Sequence, residues 1–481
     1  MIDVNAPDYT NTPASDQRPL FYYQASDCIT PFVSIITPYY NTGPVFQETV
    51  RSIQRMSFTH WEWLIVDDGS TTTESLTQLE LLAEEEPRVR VIHQANGGPA
   101  VARNRAVKEA SGRYLLQLDS DDMVEPTFVE KALWVLETQP QFAACNSRNV
   151  TFGSKNALWP HGFEKYKNCL LENWVTNQAV IRRQAFLEAG GYDERISQGH
   201  EDWDLWLNLA EAGHWGYTLP EYLTWYRYHE RSRRSETEAD NNRSRAFHKW
   251  LQQKHRGLAS RFPHPQRESR MDIPHARITD VIPVKNPLQK PEGMKRVLFI
   301  VPWLEMGSVD KFNPDLIQLL SRRGYEFTIV STEQAEDHWK GLFTSITPDV
   351  FCLHHFLNRG DYPRFLNYLI DTRQIDTVLV DGMEYAFQRT RQFAESRPAE
   401  KPDLELARSI AYLAVEYIRI AELTEMPGVQ REAFIAGDHA QSRHPLKRRL
   451  LPFGSRRYET YKQFRRIVGR AIPYVRINEG S

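Results

Sequence analysis

The sequence predicts an α/β protein built from two Rossmann-like units, and three observations carry that prediction. Short apolar, β-branched runs at Phe32–Thr37, Trp63–Val66, Val89–His93 and Tyr114–Leu118 each end in a polar loop. Helical patterns separate them, and strands alternating with helices make a parallel sheet. The same alternation restarts at Arg296–Val301, after a stretch rich in Pro, Arg, His and Lys that begins near Leu258. A chain of 481 residues also exceeds one ordinary core. The expected organisation is a polar arm over 1–30, a first domain over 31–250, a linker over 251–293, a smaller α/β unit over 294–390 and a mainly helical, basic tail over 391–481.

Composition narrows the function. Apolar residues make up 41% and charged residues 25%, the balance of a globular chain, and a net charge of −3 argues against wholesale nucleic-acid binding. The four cysteines, Cys28, Cys145, Cys169 and Cys352, show no CxxC spacing, so neither a zinc knuckle nor a disulfide framework is expected. No apolar run approaches the ~20 residues that span a bilayer. The first thirty residues lack the basic start and apolar middle of a secretory leader, so the expected location is the cytoplasm.

Taken in order, the first strand breaks at Pro38-Tyr39-Tyr40-Asn41-Thr42-Gly43, and a helix over Val45–Arg55 follows. Strand Trp63–Val66 opens into Asp67-Asp68-Gly69-Ser70, a segment that could equally cap the next helix. Strand Val89–His93 leads through Asn96-Gly97-Gly98-Pro99 into a helix over Ala100–Ala110 that carries Arg103. Tyr114–Leu118 then delivers Asp119, Asp121 and Asp122 to the mouth of the sheet, where open α/β folds place their ligands. Crowded carboxylates repel one another unless a cation joins them, and a hard divalent ion with oxygen ligands suits them; an acidic helix-capping turn is the alternative. Helix Pro126–Thr138 and strand Phe142–Asn146 continue the layer, and Ser147–Asn168 reads as a polar stretch leading to Asn177–Ile181. A second acidic cluster sits at Gly199-His200-Glu201-Asp202-Trp203-Asp204. Leu205, Trp206, Leu209 and Ala210 recur at helical spacing, which puts Glu201 and Asp202 in a helix's first turn, where the macrodipole favours their ionised form.

Five segments, SIITPYYN (Ser34–Asn41), VDDGS (Val66–Ser70), NGGPAVARNRA (Asn96–Ala106), LDSDD (Leu118–Asp122) and GHEDWDLW (Gly199–Trp206), follow one another in an order that resembles the family-2-type inverting nucleotide-sugar glycosyltransferases of the GT-A fold. The resemblance covers roughly Pro31 to Glu236. It implies that Tyr40, with Pro38 in the same loop, stacks on the donor's base, that Asp68 accepts from a base N–H, and that Arg103 reaches the base or the phosphates. Asp119 and Asp121 match the family's DxD, with Asp121 a direct ligand of Mg²⁺ or Mn²⁺ and Asp119 on ribose or metal. Asp202 matches its general base, and Glu201 would support it. The family often closes a lid with an Arg and a His over the pyrophosphate, which makes Arg227 and His229 candidates. The expected reaction is metal-dependent inverting transfer from a nucleotide sugar, a UDP-sugar, to a glycan or lipid-linked acceptor in surface polysaccharide biosynthesis. A nucleotidyltransferase and a non-catalytic glycan- or partner-binding scaffold are the rival readings.

The second unit has expected strands at Arg296–Val301, Phe327–Val330, Asp349–Leu353 and Thr377–Val380, with helices over Lys311–Arg323 and Tyr362–Asp371. It resembles the N-terminal half of a family-4-type GT-B glycosyltransferase. Gly307-Ser308 stands where that family has Gly-Gly, and no Glu pair with the spacing of its donor half occurs after Arg391. A non-catalytic module that docks acceptor, partner or the first domain is therefore expected.

Leu404–Leu423 reads as helical, and residues 441–481 hold eleven Lys/Arg against two Glu. Such a tail fits peripheral association with the inner membrane face, at about 1 kcal/mol per basic residue near an anionic leaflet, or packing against acidic parts of the same chain. Salt-sensitive co-sedimentation with anionic but not neutral vesicles is the outcome expected of a membrane role. Equal binding to both, or to neither, assigns the tail to an internal or solvated role.

Overall fold

The computed structural model describes residues 22–23, 31–196, 199–229, 240–267, 283–286, 288–301, 303–304, 317–318, 320–321, 324–337 and 340–380. The expected helix over 311–323 falls largely outside these residues, and the helix over 404–423 and the basic tail fall wholly outside.

The four apolar runs become β1 (Val33–Tyr39), β2 (Trp61–Asp67), β3 (Val89–His93) and β4 (Tyr114–Gln117), all parallel, in the order β3-β2-β1-β4. The helices α1 (Phe46–Gln54), α2 (Thr73–Glu85) and α3 (Pro99–Glu109) make the crossovers. Side chains on both faces of β1 and β4 are buried, which is why these strands read as continuous apolar runs. Thr72, rather than Ser70, caps α2, its hydroxyl accepting from the Ser75 N–H.

Beyond β4 the sheet changes direction. Antiparallel β8 (Ala179–Arg182) follows, then β6 (Ala144–Gly153), which runs parallel to β9 (Gly216–Tyr228), and the edge closes on β5 (Met123–Val124). A short β7 (Ala157–Trp159) hangs on β6. The strand expected over Phe142–Asn146 thus runs on to Gly153, into the stretch read only as polar. Its polar composition hid the pattern because the polar residues partner one another in the interior: Asn149 donates to the Thr224 hydroxyl at 3.0 Å, and the Ser147 and Thr224 hydroxyls lie 3.1 Å apart. The β6–β9 register slips between Leu219 and Thr224, around Pro220, which has no N–H for the ladder. After β8 comes the short α5 (Arg183–Glu188), and α6 (Glu201–Glu211) with α7 (Asn241–Lys254) packs on this half of the sheet, Lys254 pairing with the buried Asp204 at 2.7 Å.

The second unit is a four-stranded parallel sheet of β10 (Lys295–Val301), β11 (Tyr325–Ser331), β12 (Val350–Cys352) and β13 (Thr377–Val380), ordered β12-β11-β10-β13, with the short α8 (Lys340–Thr344) ahead of β12. That is the strand order of the first half of a doubly wound fold. Between the units, the described parts of the expected linker are packed: Leu258, Val284 and Leu288 are buried, and the Asn286 amide donates to the Ser57 carbonyl and accepts from the Thr59 N–H and hydroxyl.

The seam runs along α4 (Phe128–Thr138), buried from Phe128 to Leu136 without a solvent face. On one side it lies on the first sheet. On the other it meets α9 (Tyr362–Arg373), with Trp134 edge-on to Phe365 and Tyr368 at 5.0 and 5.2 Å. Glu130 of α4 is fully buried in this seam and receives both terminal nitrogens of Arg373 at 2.5 and 2.7 Å, the Tyr368 hydroxyl at 2.5 Å and the Ser57 hydroxyl at 2.6 Å. Arg373 also donates to Asp349 at 2.8 Å. Burial would lower the Arg373 guanidinium's pKa, but Asp349 and Glu130 outweigh it and hold the group well above its ordinary value. Among the described residues no helix is long and apolar enough to cross a membrane.

Arg373→Ala strands Glu130 and Asp349 in the interior, and breaking a buried pair from one side costs about 3–5 kcal/mol. A denaturant midpoint lowered to match is expected, while Arg90→Ala, at an exposed pair with Glu109, leaves the midpoint unmoved.

Candidate active site

The ends of β1, β2 and β4, the start of α6 and the end of β9 converge on one edge of the first sheet. At the end of β1, Pro38 is half-buried and Tyr40 projects, 47% exposed. Asn41 takes a left-handed φ of 47° there, and its side-chain oxygen receives the Thr71 and Thr72 N–H groups, joining the β1 and β2 loops. At the end of β2, Asp67 turns to the Ser70 N–H and His93, whereas Asp68 is buried and holds the loop before α3. Asp68 accepts from the Gly97 N–H at 2.7 Å, the Gly98 N–H at 2.8 Å and the Gln94 amide at 2.8 Å. Gly98, at φ 91°, is the residue before the helix, a conformation that favours glycine.

The three aspartates beyond β4 have three different environments. Asp119 turns to Arg103, accepting at 2.6 Å, with the Asn177 amide at 3.4 Å on the same oxygen. Burial pushes its carboxyl up, with Arg103 pulling down and Asp121 pushing further. Asp121 is partly exposed and lies 2.7 Å from His229 Nε2. Hydrogen bonding to Asp121 raises the His229 pKa against the effect of burial. Asp122 faces inward, accepting from the Arg227 backbone N–H at 2.8 Å and from the Gln178 amide. Burial first, then Asp121 and Asp119, push its carboxyl well up, and its two hydrogen bonds tie the acidic loop to Gln178, just ahead of β8, and to the end of β9.

Arg103 is buried, and the resemblance had it reaching the donor. The structure places its guanidinium between two carboxylates, donating to Asp119 at 2.6 Å and to Glu201 at 2.7 Å, with the Tyr192 ring 5.2 Å away. Burial would lower its pKa, but Asp119, Tyr192 and Glu201 hold it well above the ordinary value. The acidic loop and α6 are thus joined through one cation. At the start of α6, after His200 in a left-handed conformation, Glu201 turns inward on Arg103 while Asp202 stays half-buried at the mouth. One Asp202 oxygen accepts from the Trp203 N–H at 2.9 Å and the other from the Asn173 amide at 3.1 Å. Arg227 is anchored by Glu48 at 2.6 Å and by the Asp121 carbonyl at 3.0 Å, its guanidinium over Phe152.

All ten residues singled out from the sequence lie along this edge, but Asn173, Asn177, Gln178, Tyr192 and Glu48 were not among them. A cluster of amides just ahead of the apolar run Ala179–Ile181 is the one signal that could have found three of them.

Residues 34–190 match the model of Glycosyl transferase family 2, and residues 163–256 match that of Glycosyltransferase like family 2. The putative teichuronic acid biosynthesis glycosyltransferase TuaG of Bacillus subtilis is 33% identical over 204 residues, 41% of this chain and 79% of that protein. The chondroitin synthase of Pasteurella multocida is 32% identical over 190 residues, 38% of this chain, but the chain spans 19% of that protein's length. Among solved structures, Staphylococcus aureus TarS residues 1–349 in complex with UDP-GlcNAc is 20% identical with a TM-score of 0.36, covering 42% of this chain and 60% of that one.

The acidic loop hangs on α1, where the buried Thr49 hydroxyl reaches the Ser120 carbonyl at 3.0 Å and the Asp122 carbonyl at 2.7 Å. Thr49→Val keeps the shape but removes the donor from two carbonyls. A loss of about 1–3 kcal/mol is expected by urea unfolding, with Thr49→Ser restoring most of it.

Proposed function

Because the chain belongs to glycosyl transferase family 2, with the mixed α/β sheet of a GT-A domain, we propose that it moves a sugar from a nucleotide-sugar donor, a UDP-sugar, to a hydroxyl of a glycan or lipid-linked acceptor, inverting the anomeric carbon. The setting proposed is surface polysaccharide assembly, in the cytoplasm or at the inner membrane face. The observation that carries this reading is the division of labour at the start of α6: Glu201 faces Arg103, and Asp202 is held at the mouth by Asn173 and the Trp203 N–H.

A metal at this mouth is part of the proposal: two carboxylates suit a hard divalent ion, and Asp121, partly exposed, with Asp119 two residues before it, would hold Mg²⁺ or Mn²⁺. When bound, such an ion offsets the negative charge that develops on the leaving nucleotide. The chain's own residues account for the remaining steps. Tyr40, beside Pro38, offers its exposed ring to the base. Asp68 shapes the Gly97–Gly98 loop and accepts at the base edge, and Asp119, oriented by Arg103, faces the ribose. Arg227 and His229 border the pyrophosphate. Asp202 accepts the acceptor hydroxyl's proton as the new bond forms, and attack from the face opposite the leaving group inverts the carbon. Glu201 supports Asp202 by keeping the Arg103 bridge in place. The second unit we read as half of a GT-B-like pair without its donor half, a docking module rather than a second catalyst.

Nucleoside diphosphate release from a nucleotide-sugar panel with Mn²⁺ tests the reaction, and release of pyrophosphate instead would mark a nucleotidyltransferase. Asp202→Asn is expected to lower turnover by roughly 10²–10⁴-fold while retaining UDP binding. Asp121→Ala is expected to lose Mn²⁺-dependent UDP binding. Wild-type turnover by Asp202→Asn would reduce that residue to a helix-capping acid.

A further inference from the structure

A second group of ligand-type side chains lies away from this mouth, at the C-terminal ends of the second sheet's strands. Asp337 comes from the loop after β11, and His354 and His355 come from the turn Leu353–His355 directly after β12. Asp337 Oδ2 lies 3.5 Å from His354 Nε2 and 3.6 Å from His355 Nε2, and one ligand atom from each of the three residues falls within 4.8 Å of the others. A tetrahedral ion with bonds of about 2.0–2.1 Å to His nitrogen and carboxylate oxygen separates its ligand atoms by roughly 3.3–3.4 Å. The two Asp–His distances are thus somewhat long for good hydrogen bonds and close to the edges of a metal polyhedron.

The charge distribution gives a second reason. Asp337 is fully buried; its Oδ1 accepts from the Leu304 N–H at 3.2 Å and the Cys352 thiol also bonds its carboxyl, a weak donor, while Oδ2 has no nitrogen or oxygen donor in hydrogen-bond geometry among the described residues. A buried carboxylate oxygen without a donor or countercharge is costly. The two buried lysines nearby do not supply one: Lys131 and Lys340 both bond Glu221 Oε2, although the charge of Lys340 also acts on Asp337. Asp337 further holds a left-handed φ of 51°, so the backbone is bent to present this side chain.

Glu221 completes the arrangement from the other unit. It sits in the irregular stretch of β9, and its Oε1 lies 3.1 Å from His355 Nδ1, which leaves Nε2 of that ring turned to Asp337. A carboxylate behind the distal nitrogen of a histidine is the usual support of a metal-bound imidazole, fixing its tautomer and direction. The Tyr217 hydroxyl donates to the His355 carbonyl at 2.7 Å, and Arg267 donates to the His354 carbonyl at 2.8 Å, so the first domain and the segment after it hold both histidines in place.

We propose that Asp337, His354 and His355 bind a divalent transition metal of zinc's class, and that Glu221 behind His355 makes this a clamp locking the second unit onto the first domain. Two imidazoles and one carboxylate favour zinc or a near neighbour over Mg²⁺ or Ca²⁺, which take all-oxygen ligand sets. This site is separate from the one bordered by Asp121 and His229, and it stands whether or not the proposed transfer reaction is correct.

The test uses full-length protein carrying Asp121→Ala, so that the first site does not contribute. After stripping with chelator, loading with Zn²⁺ and gel filtration, one equivalent of zinc per chain is expected by elemental analysis. Co²⁺ in its place is expected to show the visible absorption of a tetrahedral complex. Adding His354→Gln, with folding verified by circular dichroism, should weaken Zn²⁺ binding at least tenfold. Protein without that change should gain thermal stability with Zn²⁺. As a measurement that needs no ligand variant, Zn²⁺ should protect His354 and His355 of wild-type protein from diethyl pyrocarbonate. Absence of stoichiometric zinc from the Asp121→Ala protein, zinc binding unaffected by His354→Gln, or unprotected histidines would overturn the proposal.

Discussion

One buried guanidinium governs the geometry of the first domain's mouth. Arg103 reaches from α3 to Asp119 on the acidic loop and to Glu201 at the head of α6, two elements 82 residues apart in sequence. Without it, two carboxylates would share an interior site without a countercharge, a more expensive state than either alone in water. With it, neither carboxylate can relax without disturbing the other. Asp121, two residues after the clamped Asp119, and Asp202, directly after the clamped Glu201, are placed by elements that this bridge holds. The same bridge leaves the outward aspartates at the mouth while their partners turn inward.

How far the sequence could lead follows from this arrangement. The parallel half of the first sheet was legible because its central strands β1 and β4 are buried on both faces, while the edge strand β3 and, in the second sheet, β13 were located to the residue by their short β-branched runs. The outer half was not, because β6 and β9 carry Asn, Ser and Thr that satisfy one another inside the protein, a long-range fact that no local pattern records. At the mouth, motif order located the acidic residues, but not which of them face inward. Arg103 looks in sequence like any arginine on a helix; its burial depends on a glutamate almost a hundred positions later. Asp68 could be read as a base contact or as a cap, and its three donors from Gln94, Gly97 and Gly98 are visible only once the β3–α3 loop is folded back.

The seam between the units shows the same limit. Asp337 and the His354-His355 pair are separated by a short helix at Lys340–Thr344 and the strand β12, so no short spacing of ligands announces them. Glu130 and Lys131 occupy a helix whose neighbours are apolar, and from sequence alone they look like its solvent face. They are buried because Arg373 and Glu221 arrive from distant elements. Buried ion pairs of this kind add little net stability compared with apolar contacts, but they penalise misplacement steeply, since each charge tolerates one partner position. The seam therefore fixes the orientation of the second unit more than it adds to adhesion.

The absence of a solvent face on α4 has a consequence for how such a chain can change over generations. A surface helix drifts freely on its wet side, and a module resting on it can be gained or lost by recombination at the linker. Here Glu130 has become part of the module's foundation through Arg373, and Lys131, paired with Glu221 of the first domain, shares that acceptor with Lys340 of the second unit. A chain without the second unit would open this face of α4 to water: Glu130 would be solvated, but Trp134 would lose Phe365 and Tyr368 and be left exposed, so α4 would have to be rewritten in the same step. Change along this wall is consequently coupled, since a substitution at Glu130 calls for a matching one at Arg373 on the other side of it.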